Sequence, residues 1–304
     1  MTLDDYTMIL PTWERIQYLD RFFDYHRGYA ILAVDSSKED HSSIAARYPH
    51  IDYRWLGPTS HFKKMRDALD RVTTAYVSIG SDDDFHIAEG IADCIRILRQ
   101  TPEAVCVHGA NVNFEETPEP NIRRRNHKTF FRNGNLARRP PLPTPMERFD
   151  LVYRRPCYSP YNAVFRTVDL KKVISIMLDC GFEKPGANDY GFVMVASMFG
   201  DYLGSKQLFC LKNLEAPPVR DIVKVAMVDF WEQVMSSEDI WRPHYDPDRL
   251  REAIPMWKGF IAAQARRERL LGRILGTAGL HELLKLVPLY RGANRELMRI
   301  FAHA

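Results

Sequence analysis

The strongest constraint on the fold is the alternation of short β-rich runs with helical periodicity through residues 6–108. Tyr6-Thr7-Met8-Ile9-Leu10 is apolar and β-rich and stops at Pro11-Thr12; Ile16, Leu19, Phe22 and Phe23 then recur at helical spacing. Thr12 reads as the helix N-cap, with Arg15 standing where a glutamate would complete a capping box. Further strands are predicted over 30–34, 51–56, 75–79 and 104–108. Helices are predicted over 43–48, through Phe62, Met65, Leu69 and Val72, and over 86–99. Strand, crossover helix and strand in repetition predict an α/β fold, a Rossmann-like and mainly parallel sheet with helices on both faces. Such sheets bind ligands at the carboxyl ends of their strands. Here those ends carry Pro11-Thr12, Asp35-Ser36 and the run Ser81-Asp82-Asp83-Asp84.

The texture changes after residue 110. Residues 111–148 are rich in Pro, Arg and Asn and weakly periodic, as in a functional or disordered loop. Beyond them a strand is expected over 161–166, helices over 170–178 and 188–199, and a mixed segment over 202–211. From residue 219 onward the chain reads as helical, over 222–236, 247–275 and 280–301. The last two pieces are leucine-rich and basic, with Arg266-Arg267-Glu268-Arg269 followed later by Arg291, Arg295 and Arg299. That pattern suits packing on the domain or on a second copy of the chain first, and a membrane surface second.

Bulk properties exclude several classes. Hydrophobic residues make up 45% of the 304, enough for a sizeable core, and the formal net charge is only +3, which argues against nucleic acid as a partner of the chain as a whole. The cysteines at 94, 106, 157, 180 and 210 are odd in number and form no C-x-x-C pair, which argues against a disulfide scaffold. With no basic leader and no apolar run of about 18 residues, a cytoplasmic location is expected, with peripheral contact to the inner face of a membrane as the variant.

Three consecutive aspartates just past a buried strand repel one another unless a cation or hydrogen-bond donors compensate. A hard divalent cation, Mn²⁺ or Mg²⁺, ligated by carboxylate and phosphate oxygens is a natural partner; a solvated turn capping the next helix through Asp84 is the plainer alternative. The order of motifs adds to this. Ile9-Leu10-Pro11-Thr12-Trp13-Glu14-Arg15 resembles the opening of family 2-like, GT-A fold glycosyltransferases. Leu32-Ala33-Val34-Asp35-Ser36-Ser37 resembles that family's second strand, and Tyr76 through Phe85 (YVSIGSDDDF) its D-x-D region. The resemblance covers residues 5–110 and, more loosely, 150–215.

The resemblance implies a GT-A domain over 1–215, with a donor half over 1–110 and an acceptor half over 111–215, and a helical C-terminal extension over 216–304. It implies a nucleotide-sugar donor pocket lined by Pro11, Thr12, Glu14 and Arg15, with Asp35 accepting from the base or ribose. Lys63 or Arg66 would touch the diphosphate, whereas Lys64 reads as part of a solvated helix face. Two registers of the acidic run are open. In one, Ser81 takes the place of the first Asp and Asp83 and Asp84 hold the last two positions, as metal ligands; in the other, Asp82-x-Asp84 is the pair. Asp82 and Asp83 would also meet the donor. Asp189, at a helix start, is the candidate catalytic base of an inverting transfer to a glycan, lipid-linked or protein acceptor. The basic run Arg123-Arg124-Arg125-Asn126-His127-Lys128 would close over the diphosphate or meet an anionic acceptor, and the segment from Tyr158 to Asn162 would offer an aromatic acceptor platform. A sugar nucleotidyltransferase is the nearest rival, although Pro11–Arg15 lacks the glycine-rich loop of that class; a non-catalytic glycan-binding or scaffold protein is the other.

Overall fold

The computed structural model describes residues 3–114, 142–154, 160–182, 187–213, 232–253, 296 and 299. The first half of the sheet is the predicted one. Strands β1 (Tyr6–Thr12), β2 (Ala30–Asp35), β3 (Ile51–Trp55) and β4 (Tyr76–Ile79) run parallel in the order β3-β2-β1-β4. Helices α1 (Ile16–Tyr25), α2 (Ser42–Ala45) and α3 (His61–Arg71) connect them. The order then continues through β7 (Val164–Arg166), β6 (Ala104–Phe114), β8 (Asp201–Asn213) and the two-residue β5 (Phe85–His86). β6 and β8 are parallel, whereas the β4–β7, β7–β6 and β8–β5 pairs are antiparallel. The eight-stranded sheet is therefore mixed but mostly parallel. Helices α4 (Ala88–Gln100), α5 (Pro145–Arg154), α6 (Thr167–Asp179) and α7 (Ala187–Phe199) complete the layers.

Side chains alternate across the sheet, as strand geometry requires. Ile9, Leu32, Val34, Val77, Ile79 and Phe165 face a core built with α3, α6 and α7. Met8, Leu10, Ile31, Ala33 and Val164 face a second core built with α1 and α4. Runs buried on both faces are what a parallel sheet between two helical layers demands. α4 lies so close to β8 that a Cβ at Gly90 would fall 2.2 Å from the Leu208 carbonyl oxygen. No side chain fits there, which fixes how α4 sits against the strand that carries Cys210 and Lys212.

Several boundaries differ from the sequence expectation. β1 continues to Thr12, so α1 starts one turn later with Arg15 at the N-cap position, and Thr12 does not cap it. Phe85 and His86 form β5, and α4 begins only at Ala88, so Asp84 caps no helix. β6 runs on to Phe114, past the predicted end at 108, because bulged pairing with β8 carries it through Gly109 and the polar Asn111. The mixed segment is one strand, β8, of 13 residues.

Beyond residue 216 the described residues are 232–253, 296 and 299. Val234, Trp241, Tyr245 and Leu250 join the core that holds α3, α6 and α7. The Tyr245 hydroxyl donates to the Met194 carbonyl at 2.7 Å. Further on, Tyr25 of α1 donates to Glu296 at 2.8 Å, and the Arg299 guanidinium lies 5.6 Å from the Tyr25 ring centre. At each of these points residues beyond 216 pack on residues before it. The basic run at 123–128 and the Arg/Leu segments at 266–275 and 280–287 lie outside the described residues. Among the described residues, no helix is long and apolar enough to cross a membrane.

Candidate functional site

Parallel pairing of β1 with β2 and β4 places three polar strand ends side by side; Thr12 stands in register with Asp35, and the Gly80 amide bonds Ile9 past the end of β4. From there the chain turns through Ser81–Asp84 beneath Thr12. The Thr12 hydroxyl donates to Asp82 Oδ2 at 2.7 Å. Arg15, presented by the turn between β1 and α1, places Nη1 3.3 Å from Asp82 Oδ1 and 2.8 Å from Asp83 Oδ2. All three aspartates are buried. Desolvation pushes the Asp82 carboxyl above its ordinary range, with the Thr12 bond and the Arg15 charge opposing.

Asp35 is fully buried and saturated. Oδ1 accepts from the Ser37 amide and hydroxyl at 2.8 and 2.6 Å, and Oδ2 accepts from Tyr53 at 2.6 Å and faces His41 Nδ1 at 2.9 Å. Four contacts fill the four lone-pair positions of a carboxylate. Despite its desolvation, these hydrogen bonds hold the Asp35 pKa below the ordinary value. Glu14 adopts φ 52°, in the left-handed region that costs a non-glycine residue about 1 kcal/mol or more. It is fixed there because its amide donates to Ser37 Oγ at 2.7 Å and its carboxylate accepts from the Lys38 amide at 3.0 Å. Glu14 thus ties the β1 turn to the β2 turn.

The buried cation of this edge is Lys64. Its Nζ donates to the Thr12 carbonyl at 2.7 Å and to Ser36 Oγ at 3.0 Å, and burial lowers its pKa to about 8 against the opposing charges of Asp35 and Asp82. Lys63 is exposed and Arg66 half-buried on the same helix, and among the described residues neither meets the acidic turn. Replacing Lys64 with Met is expected to cost about 3 kcal/mol of unfolding free energy, because two hydrogen bonds from a charged donor are lost and a buried carbonyl and hydroxyl are left short of partners. Urea unfolding monitored by circular dichroism measures this; a variant as stable as the parent would show that Lys64 does not organise the edge.

On the far side of the turn, Asp84 Oδ1 accepts from the Asn213 amide at 2.9 Å and Oδ2 lies 3.4 Å from Lys212 Nζ. The Asp84 carboxylate holds the Lys212 ammonium charged, raising its pKa. The same cation lowers the pKa of Asp189, which desolvation otherwise raises. Asp189 stands in the first turn of α7, accessible at its surface, so Lys212 electrostatically links the acidic turn to the start of α7. Asn162, in a short 3₁₀ turn before β7, braces the turn by donating to the Ile79 carbonyl at 3.1 Å and to Ser81 Oγ at 3.4 Å. Of the expected aromatic platform, residues 158 and 159 lie outside the described residues. Tyr161 is engaged with His61, and its hydroxyl contacts Met65 Sδ at 3.3 Å.

The structure therefore brings Thr12, Arg15, Asp35, Asp82, Asp83 and Asp84 to one edge, and Pro11, half-buried in β1, lies beside them. Lys64 and Lys212 were not singled out as site residues from sequence. Spacing holds a signal for Lys64, which stands one turn before the buried Ala68 and beside the buried Met65.

No family model matches this chain, and no curated protein does. Among solved structures, the crystal structure of S. aureus TarS aligns with 99% of this chain and 54% of its own length, at 13% identity and a TM-score of 0.49. S. aureus TarS 1–349 aligns at 15% identity and a TM-score of 0.49, with 89% of its length covered. The same fragment in complex with UDP-GlcNAc gives 14% and 0.46. The chain spans about half the length of the full TarS structure, and a likeness at this level assigns no residue a role.

Proposed function

We propose that this chain is a GT-A fold, family 2-like glycosyltransferase that moves a sugar from a nucleoside diphosphate donor to a glycan, lipid-linked or protein acceptor with inversion. The observation that carries this reading is the convergence of Thr12, Arg15, Lys64 and Asp82–Asp84 on the carboxyl edge of β1, β2 and β4, where open parallel sheets bind nucleotides. Arg15 offers a planar fork suited to phosphate, at present turned onto Asp82 and Asp83. A nucleobase or ribose would reach Asp35 by replacing its bond to Tyr53 or His41.

The implied Mn²⁺ or Mg²⁺ fits the residues present. Asp84 Oδ2 is buried with the partly exposed Lys212 ammonium 3.4 Å away, a charge that an entering cation would replace, and Asp83 spends one oxygen on a half-exposed arginine. Asp83 and Asp84 would hold the cation, and when bound it would neutralise charge on the departing diphosphate. Asp82 stays bonded to Thr12 and keeps the turn in place. Asp189 would take the proton of the attacking hydroxyl, its raised pKa bringing it nearer the operating range of a general base.

The test is thermal shift with nucleotides and nucleotide sugars, with and without Mn²⁺, followed by donor hydrolysis without acceptor. One nucleoside diphosphate should raise the melting temperature more in Mn²⁺ than in chelator, because a ligand of the native state stabilises it. No response to any nucleotide would overturn the reading.

A further inference from the structure

Behind the acidic turn, away from Thr12 and Arg15, lies a second cluster. β5 pairs with β8 so that His86 stands opposite Cys210, and Asp84, two residues before His86, falls on the same face. A carboxylate oxygen of Asp84, a ring nitrogen of His86 and the Cys210 sulfur all lie within 4.8 Å of one another. The three residues are 1%, 1% and 2% exposed. Both ring nitrogens of His86 are buried without a hydrogen-bond partner, and Asp84 Oδ2 has the Lys212 ammonium 3.4 Å away. An orphaned buried imidazole is costly, and one set beside a carboxylate and a thiol, both metal-ligand types, points to a missing ligand.

We propose that Asp84, His86 and Cys210 form a binding site for a borderline-soft divalent cation, Zn²⁺ being the best match, which clips the acidic turn and β5 onto β8. Sulfur and imidazole select zinc over the hard cations that suit carboxylate and phosphate. Tetrahedral zinc with bonds of about 2.0–2.3 Å sets its ligand atoms roughly 3.3–3.8 Å apart, so closure of about 1 Å suffices. Charge also balances, since one carboxylate and one thiolate neutralise the dication and the imidazole enters neutral. In the metal-free protein Lys212 supplies the positive charge beside Asp84; its side chain is 40% exposed and can swing outward as the ion enters. The clip has a structural purpose, because β5 holds β8 through only two residue pairs. Asp84 is also a ligand of the Mn²⁺ or Mg²⁺ in the transferase reading, so this site is tested without nucleotide and without either of those cations.

The experiment uses the metal-free full-length chain without nucleotide, with Co²⁺ as spectroscopic probe and Zn²⁺ as competitor. One equivalent of Co²⁺ should give a thiolate charge-transfer band that one equivalent of Zn²⁺ abolishes, and Zn²⁺ should raise the melting temperature. C210S should remove the band, H86Q should weaken Zn²⁺ at least about tenfold, and K212M should tighten it. No band in the parent protein, or a band that persists in C210S, overturns the site. Should C210S fail to fold, unchanged Zn²⁺ affinity in H86Q has the same force. Because no donor or acceptor is present, these outcomes do not depend on whether the chain transfers sugar.

Discussion

Replacing Asp189 with Asn is expected to lower sugar transfer about 10²- to 10⁴-fold while leaving nucleotide binding intact, the range that a positioned general base contributes. Asparagine keeps the shape of the side chain at the first turn of α7 but cannot accept the proton. Asp189 reaches the surface, but the protein around its carboxyl still raises its pKa, and Lys212 opposes that rise. A raised pKa makes a stronger base, and the nearby cation limits the rise. Two measurements separate the roles. Steady-state transfer should collapse, and the thermal shift produced by nucleoside diphosphate should match the parent. Near-normal turnover in the variant would remove Asp189 from the mechanism. A parallel loss of nucleotide binding would show instead that α7 had moved.

The parallel half of the sheet was legible because β1, β2 and β4 are largely buried on both faces and its helices carry three- and four-residue apolar spacing. β3, at the sheet edge and only partly buried, shows itself by its position in the alternation, and the polar strand ends of β1, β2 and β4 converge as expected. The second half obscures itself. β8 carries Gly204, Ser205, Lys206 and Gln207 in mid-strand, and its partner β6 bulges around Gly109, so neither shows a clean period of two. Lys64 was hidden for a different reason. A lysine on an amphipathic helix reads as solvated until the carbonyl of Thr12 and the hydroxyl of Ser36, 52 and 28 residues away in sequence, are placed against it. The Thr12 hydroxyl shows the reverse case: local spacing suggested a cap, and a tertiary partner, Asp82, took it. His86 and Cys210 are brought together by the β5–β8 register, which no local pattern encodes.

Stability should fall steeply between pH 7 and pH 5, and buried imidazoles set the size of the effect. His26 is held neutral between α1 and β5, its Nδ1 hydrogen donating to the Phe22 carbonyl at 2.8 Å and its Nε2 accepting from the His86 amide at 3.0 Å. Burial lowers its pKa to about 3. His108 is equally buried, lies against Phe209 and has its pKa lowered to about 4. In the unfolded chain both titrate near 6.5. The unfolded state therefore binds protons that the native state refuses, and stability present above pH 6.5 is lost as pH falls towards 4. Each imidazole contributes about 2 kcal/mol of loss between pH 7 and pH 5, roughly 4 kcal/mol for the two, a large fraction of a typical domain's stability. Asp82 and Asp84 act with the opposite sign, since desolvation raises their pKa values and protonation as pH falls relieves the strain of burying their charge. A difference measurement isolates the histidines. Urea unfolding of chelator-treated protein at pH 7 and pH 5, for the parent and for H108N, should show the pH-dependent loss shrinking by about 2 kcal/mol in the variant, whatever its absolute stability. An identical loss in both would mean that His108 is protonated in the folded protein and that its pocket is wetter than its packing against Phe209 indicates.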